Sequence, residues 1–175
     1  MHTKKNNLYN LMEQMSNNYS NFQLWSLVTM RVVIGWHFAY EGIVKLLNPN
    51  WTAVMYLSDS KGTLMNFFNS LTTNPTTVNI INFANEWGLL LIGLGLIVGA
   101  FSRIASIGGI AMLLLYYLSH PAILGVNYAM PMEGSYLWID KNLVEMAALF
   151  VTFVLPTSQI IGIDRYLKRY LSKII

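Results

Sequence analysis

The chain has 175 residues, of which 54% are hydrophobic and only 11% are charged, and its formal net charge is +3. Soluble domains carry roughly 25% charged residues, so this composition indicates a membrane protein with room for one compact domain, residues 1–175. No basic patch alternates with aromatic residues, as a nucleic-acid partner would require. The absence of cysteine excludes disulfide exchange, iron–sulfur clusters and thiolate metal sites within the chain.

The first membrane span is predicted at about residues 24–47. The preceding segment is polar and rich in asparagine, and it lacks the short apolar core of a cleavable signal peptide. At about 1.5 Å per residue, the apolar run that follows crosses ~30 Å of hydrocarbon with some tilt. We therefore expect this run to be a spanning helix of the protein.

Three further spans are predicted at about residues 80–101, 102–119 and 140–159. The fully apolar part of the second span is short, so the helix must begin well before it to reach the ~20 residues that a span needs. That start places Glu86 inside the membrane. The third span stops before Pro121, because proline removes a backbone donor and disfavours helix at the preceding residue. The sequence thus predicts an all-α integral membrane four-helix bundle.

The lysine and arginine residues predict the orientation of this bundle. With both termini in the cytoplasm, they lie mostly on the inner side, as the positive-inside rule requires for a bacterial cytoplasmic (inner) membrane. The tail, residues 162–175, has the spacing of a basic amphipathic helix, and it is interpreted either as lying on the inner leaflet or as solvated. The inner residues are Lys4, Lys5, Arg103, Arg165, Lys168, Arg169 and Lys173, and the outer ones are Lys45, Lys61 and Lys141.

Two long connections then face outward, at residues 48–79 and 120–139. The first contains large apolar residues such as Trp51, Tyr56 and Phe68, which are too many for a flexible loop. We therefore expect interfacial helices that lie over the outer mouth of the bundle.

Ionisable residues within the spans indicate a site, because a charge in hydrocarbon is costly and usually has a partner or a function. On the first helix, several of them fall within an arc of about 120° at 100° per residue, so they share one face. That face should point to the bundle interior and away from lipid. The residues are Arg31, His37, Glu41 and Lys45.

The other predicted spans offer polar groups at a similar outer depth. Glu86 lies in the second span and His120 follows the third, while Lys141, Asn142 and Glu145 open the fourth. Together the four spans predict a polar chamber under the outer connections.

A purely structural interpretation of the same charges is also open. Glu41 and Lys45 are four residues apart on a helix, as are Lys141 and Glu145, so each pair can simply neutralise its own charges. Lysines near helix ends also extend to the interface, and Arg31 is within reach of the inner headgroups. No histidine spacing in the chain supports a metal site.

Three short motifs, in this order and spacing, resemble the DoxX family of membrane proteins. The resemblance covers about residues 24–155. The motifs are Arg31, Gly35 and Phe38 followed by Glu41-Gly42-Ile43-Val44-Lys45; the glycine-containing stretch from Leu91 to Arg103; and Asp140-Lys141-Asn142-Leu143-Val144-Glu145.

This resemblance implies a four-helix integral membrane protein. Some relatives are the quinone-reducing subunit of thiosulfate:quinone oxidoreductase. That enzyme also has a second subunit, which this chain does not supply. Other relatives are membrane partners in redox or thiol-stress complexes, and remote ones act as chaperones or lipid-linked receptors, so the fold leaves the function open. Carried over to this chain, the core polar residues are Arg31, Glu41, Lys45 and Glu145.

The first hypothesis is a quinone-linked oxidoreductase subunit that receives electrons from a small sulfur compound or a partner protein. Quinone reduction takes up protons, which suits carboxylates and an imidazole beside the quinone head. The predicted catalytic proton carriers are His37, Glu41, Glu86 and Glu145, and the predicted substrate-binding residues are Arg31, Lys45, His120, Lys141 and Asn142.

The second hypothesis is a membrane scaffold or chaperone-like protein without catalysis. Its polar chamber would bind a small amphiphile or a partner's helix, and its outer connection would dock a periplasmic or membrane partner protein. A small transporter is less well supported, because four helices leave little room for a pore unless the chain forms a homo-oligomer. The expected partners are therefore the lipid bilayer, a quinone and a partner protein, with neither a metal nor nucleic acid.

Overall fold

The computed structural model describes residues 19–129 and 137–167, which form helices and the loops between them. The N-terminal residues 1–18 and the last part of the predicted tail, 168–175, lie outside the described residues. The described helices are α1 (Asn21–Leu47), α2 (Val54–Ser58), α3 (Met65–Ser70), α4 (Pro75–Val98), α5 (Ser102–Ser119), α6 (Lys141–Val154) and a 3₁₀ turn (Thr157–Gln159). Residues 164–167 of the predicted tail are also helical.

The N-terminus of α1 is set by a capping box. The Ser20 hydroxyl accepts a hydrogen bond from the Gln23 backbone N–H at 3.2 Å, and the Ser20 N–H donates to the Gln23 side chain at 2.9 Å. These two bonds satisfy donors that the first turn of a helix leaves unpaired, so α1 begins three residues before the predicted span.

Proline and glycine set the other helix ends. Pro75 occupies the first turn of α4 behind the cap residue Asn74, so this helix begins five residues before the predicted start at residue 80. It ends at a left-handed Gly99 with φ of +65°. The last helix stops at Val154, before Pro156, so the predicted stretch to residue 159 is completed by the 3₁₀ turn.

The four long helices pack in the ring order α1, α4, α5, α6. Helix α1 lies closest to α4, because glycines remove the side chains between the two backbones: a Cβ atom on Gly93 would lie 2.2 Å from the Ala39 amide nitrogen. Helix α5 packs mainly on α6, whereas α1 and α6 touch over a short stretch only. The shared core contains Ile34, Phe38, Leu89, Leu96, Ala105, Leu113 and Leu149.

Two helices, α4 and α5, are long and apolar enough to cross a membrane. Helix α6 has only 14 residues, and α1 is long enough but is more polar because its ionisable side chains interrupt the apolar sequence. Large apolar side chains such as Leu91, Ile104 and Phe150 lie exposed on the outside of the helices. The described part of the chain is thus all-helical, with two candidate membrane-spanning helices.

Candidate functional site at the covered end of the helices

The connection between α1 and α4 folds over one end of the long helices, which we call the cover end. The Ser60 hydroxyl and the Lys61 backbone N–H both donate to the Ser119 carbonyl, at 2.8 and 3.1 Å. The Tyr56 hydroxyl donates to the Tyr116 carbonyl at 3.2 Å. The first two bonds satisfy the Ser119 carbonyl, which lies in the last turn of α5 and has no partner within the helix, whereas the Tyr116 carbonyl also accepts from the His120 N–H at 2.9 Å.

A histidine–carboxylate pair joins α1 to α6 near this end. The His37 Nδ1 and Glu145 Oε1 atoms are 2.8 Å apart, with 40% of the His37 side chain and 12% of the Glu145 side chain exposed. The pair bridges the boundary between α1 and α6, which have little other contact, and we call this boundary the α1–α6 seam. One face of the imidazole is therefore open to the surroundings of the helices, while the carboxylate is held inside.

A second ion pair lies one turn further along α1. The Lys45 ammonium is 2.5 Å from a Glu41 carboxylate oxygen and stands 5.6 Å from the Trp51 ring centre. This local pairing is the one that the structural interpretation of the sequence predicts. Glu41 also lies close enough to His37 and Lys141 to interact with them electrostatically, so the two pairs form one charged cluster.

A tyrosine and an asparagine extend this cluster, and the sequence analysis did not identify them. The Tyr116 hydroxyl of α5 donates to the Asn85 side-chain oxygen of α4, and Tyr116 lies within electrostatic reach of Glu41. Neither residue belongs to a recognisable motif. The only available signal was the presence of a polar residue inside an apolar span.

Glu86, the neighbour of Asn85, is not joined to the cluster by a hydrogen bond. Within the described residues its carboxylate has neither a hydrogen bond nor an ion pair, and its backbone carbonyl packs against Gly42, where a Cβ atom would lie 2.9 Å away. The backbone of Glu86 therefore serves the close approach of α1 and α4.

His120 lies beneath the cover, next to the end of α5. Its ring stacks on Tyr56 at 3.9 Å between ring centres and faces Tyr128 at 4.7 Å. The side chain is 2% exposed, and Nε2 has no hydrogen bond within the described residues, with the nearest Asp59 oxygen at 3.9 Å. The pKa of His120 is lowered, and burial is the main cause. The nearby Asp59 raises this pKa and Lys61 lowers it, both by less than burial does.

The start of α6 places the remaining predicted residues. The Asp140 carboxylate caps the helix by accepting from the Leu143 N–H at 2.9 Å, and it also accepts from the Asn142 amide at 2.8 Å. Asn142 is thus engaged in the cap. Lys141 is exposed and lies close enough to His37 to interact electrostatically.

Arg31 lies at the opposite end, where α4 and α5 join, which we call the hairpin end. Its guanidinium donates to the Thr157 hydroxyl at 3.1 Å and to the Ile161 carbonyl at 2.9 Å, and it is 3% exposed. Asp164 lies close enough to interact with it electrostatically. The helical arc placed Arg31 on the same face as Lys45, but the two lie far apart along the helix and have different partners.

Of the predicted site residues, the structure brings His37, Glu41, Lys45, Lys141 and Glu145 into one cluster at the cover end. This cluster holds two lysines and two carboxylates beside an imidazole. Side chains of these kinds can bind a polar or anionic group of a ligand and exchange protons with it.

The sequence profile of the DoxX family matches residues 26–121, which is more than half of the chain. The chain belongs to the DoxX family of membrane proteins. The matched region runs from α1 to the end of α5 and contains His37 and Glu41, whereas Glu145 lies beyond it. No curated protein and no solved structure matches the chain.

Proposed function

We propose that this DoxX protein spans the membrane with four helices and binds the head of a quinone at the seam between α1 and α6. The pair of His37 and Glu145 exchanges protons with the bound quinone. The observation that carries the proposal is this pair, in which the imidazole is partly exposed and the carboxylate is held inside.

The four-span arrangement is supported by helix length and by the position of charges. Helix α1, with 27 residues, is about 40 Å long at 1.5 Å per residue, which exceeds the ~30 Å of hydrocarbon. Helix α6 has only 14 residues, but Leu155, Pro156 and the 3₁₀ turn Thr157–Gln159, in which Thr157 and Ser158 are buried, continue its path. Arg103 and Arg165 lie at the hairpin end. Together with the five basic residues of the terminal segments that the sequence assigns to this side, they outnumber the three lysines of the cover end, which supports a cytoplasmic location for the hairpin end and an outer location for the cover end.

The α1–α6 seam suits a ligand that comes from the bilayer. In hydrocarbon, a partly exposed histidine has no water to solvate it, so a ligand with a polar head is a favourable neighbour. Apolar side chains beside the seam, among them Val33, Trp36 and Val144, are exposed and provide a surface for an apolar tail. A quinone combines such a head with such a tail.

The proton chemistry follows from the side chains. Reduction of a quinone to a quinol takes two electrons and two protons, and the electrons come from a reductant outside the chain, which we take to be a small sulfur compound or a partner protein. Glu145 holds the imidazole of His37, so His37 passes a proton to the head while Glu41, nearer the outer surface, restores it. Lys45 and Lys141 favour an anionic head or reductant.

Two measurements test this proposal. The first is the quinone content of the lipid that copurifies with the protein, compared between wild type and Glu145→Gln. The second is reduction of a soluble quinone analogue by thiosulfate or another sulfur donor. We expect bound quinone and donor-dependent reduction in the wild type, and a loss of at least tenfold in the rate in Glu145→Gln.

Asp140→Asn is the matched control. It removes a carboxylate from the same end of α6 but preserves the N-cap, since asparagine caps a helix as well as aspartate does. Its quinone content and reduction rate should match those of the wild type. Equal losses in both variants would refute a specific role for Glu145.

A non-catalytic binding protein is the second candidate. The observation that favours it is the 2.5 Å pairing of Glu41 with Lys45, which neutralises two of the cluster's charges within one helix. Bound quinone or another amphiphile without donor-dependent reduction, together with a copurifying protein, would support this function.

A further inference from the structure

We infer that Arg103 and Arg165 form a binding site for anionic phospholipid headgroups at the hairpin end. This inference rests on the membrane-spanning arrangement proposed above and is independent of the quinone chemistry. It depends on three features: the backbone contacts that bring the two arginines together, the engagement of the nearby acidic residue, and the apolar surface around them.

Backbone hydrogen bonds hold the segment after the 3₁₀ turn against the α4–α5 junction. The Ile163 N–H donates to the Val98 carbonyl at 3.1 Å, and the Asp164 N–H donates to the Gly99 carbonyl at 2.8 Å. The Asp164 carboxylate in turn accepts from the backbone N–H of Phe101 at 2.6 Å and of Ser102 at 3.1 Å. Because each arginine directly follows one of these paired residues, both leave the same short region of the surface.

The acidic residue between the two arginines is already engaged. The Asp164 carboxylate also accepts hydrogen bonds from the hydroxyls of Ser102 at 3.1 Å and Ser158 at 2.7 Å, and it faces the buried Arg31. Within the described residues neither Arg103 nor Arg165 forms an ion pair, and both are exposed. Two positive charges therefore remain available for an external anion.

The surroundings of the two arginines favour a lipid surface over a soluble anion. Phe101, Ile104 and Tyr166 are large, exposed and close in sequence to the arginines. The Arg103 guanidinium stands 6.0 Å from the ring centre of Phe153, so an aromatic ring lies beside its charge. A protein is anchored to an anionic leaflet when apolar and aromatic side chains enter the edge of the acyl chains and arginines lie level with the lipid phosphates. The planar guanidinium also suits bidentate contact with a phosphate.

The test uses the full-length protein in nanodiscs of phosphatidylcholine with a minor fraction of phosphatidylglycerol. The affinity for phosphatidylglycerol is measured by native mass spectrometry after release from the disc. We expect Arg103→Gln and Arg165→Gln each to lower it about fivefold, and the double variant about 30-fold, since a basic residue near an anionic surface contributes about a factor of five. Added salt should weaken the preference.

Lys61→Gln at the cover end is the control and should retain the wild-type preference. The inference would be overturned if the single and double variants retained phosphatidylglycerol as well as the wild type does. If the double variant does not fold, the two single variants still provide the test. Displacement of the lipid by soluble glycerol phosphate would also overturn it, because it would assign the arginines to a free phosphate ester. Quinone content, measured on the same samples, separates a failure here from a failure of the proposed function.

Discussion

The His37 imidazole and the Glu145 carboxylate meet at 2.8 Å although 108 residues separate them in the chain. The pair crosses the seam between α1 and α6, whereas glycine-mediated backbone packing holds α1 to α4. The contact between His37 and Glu145 is thus both a polar site and a link between the α1–α4 pair and the α5–α6 pair. It therefore connects the stability of the protein to its proposed chemistry.

A double-mutant cycle should show this coupling directly. We expect His37→Asn and Glu145→Gln each to lower the free energy of unfolding by about 1 kcal/mol, because a charge-assisted hydrogen bond is lost at a partly exposed site. The double variant should lose less than the sum of the two, with a coupling energy of about 0.5–1 kcal/mol. The free energies of unfolding of the wild type, the two single variants and the double variant are compared by thermal unfolding in detergent. Strictly additive losses would show that the two side chains do not stabilise the protein through their contact.

Gly93→Ala should destabilise the protein markedly. The added Cβ atom would lie 2.2 Å from the Ala39 nitrogen, so the α1 and α4 backbones must separate. We expect a loss of about 2–3 kcal/mol by overpacking, measured by thermal unfolding.

Gly88→Ala on the same helix is the control for this effect. Its Cβ atom would meet only the flexible side chain of Met112, at 3.5 Å. Because alanine favours helix over glycine, we expect Gly88→Ala to be neutral or slightly stabilising. Similar losses in the two variants would contradict the close packing at Gly93.

Replacement of Arg31 should destabilise the hairpin end. Arg31→Met removes the hydrogen bonds to Thr157 and Ile161 and leaves the nearby Asp164 without its buried cation. We expect a loss of about 2–3 kcal/mol, because two hydrogen bonds to a buried charged group are broken and the Thr157 and Ile161 oxygens lose this donor. Arg31→Lys keeps the charge but not the fork of donors, and its loss should be intermediate. Differential scanning fluorimetry ranks the three proteins, and equal stability of Arg31→Met and wild type would refute this role.

Stability should fall in mild acid because of His120. Burial holds the pKa of His120 in the folded protein below its ordinary value of about 6.5. As the pH falls below about 6.5, the unfolded chain therefore takes up this proton before the folded protein does. The contribution of His120 is fully present above that pH and is lost as the pH falls through the folded-state pKa.

The comparison of wild type with His120→Gln isolates this effect from other titrating groups. We expect the midpoint of thermal unfolding to fall more steeply with acid in the wild type than in the variant between about pH 7.5 and pH 5. Parallel curves would indicate that His120 titrates normally in the folded protein.

The family and the helical character of the chain were predictable from local sequence patterns. Apolar runs indicated the long helices, and the motif around Glu41 indicated the DoxX family, which the family match confirms. The helix ends differed by several residues, because the cap at Asn74 and the left-handed turn at Gly99 act more locally than an apolar run shows. Of the four predicted spans, α4 and α5 meet the requirements of length and hydropathy.

The partners of the polar residues depended on how the helices pack. Helical periodicity placed Arg31 on one face with Lys45, but periodicity carries no information on depth, and Arg31 turned out to bond to the segment after α6. The pairing of Glu41 with Lys45 was predictable, since residues four apart on a helix always lie near each other.

The contacts of His37 with Glu145 and of Tyr116 with Asn85 required the packed structure. Spacing along one helix determines which side chains share a face, and the sequence states that spacing directly. The rotation and depth of one helix against another arise from close packing at a few small residues such as Gly93, and these contacts join parts of the chain that no local pattern connects.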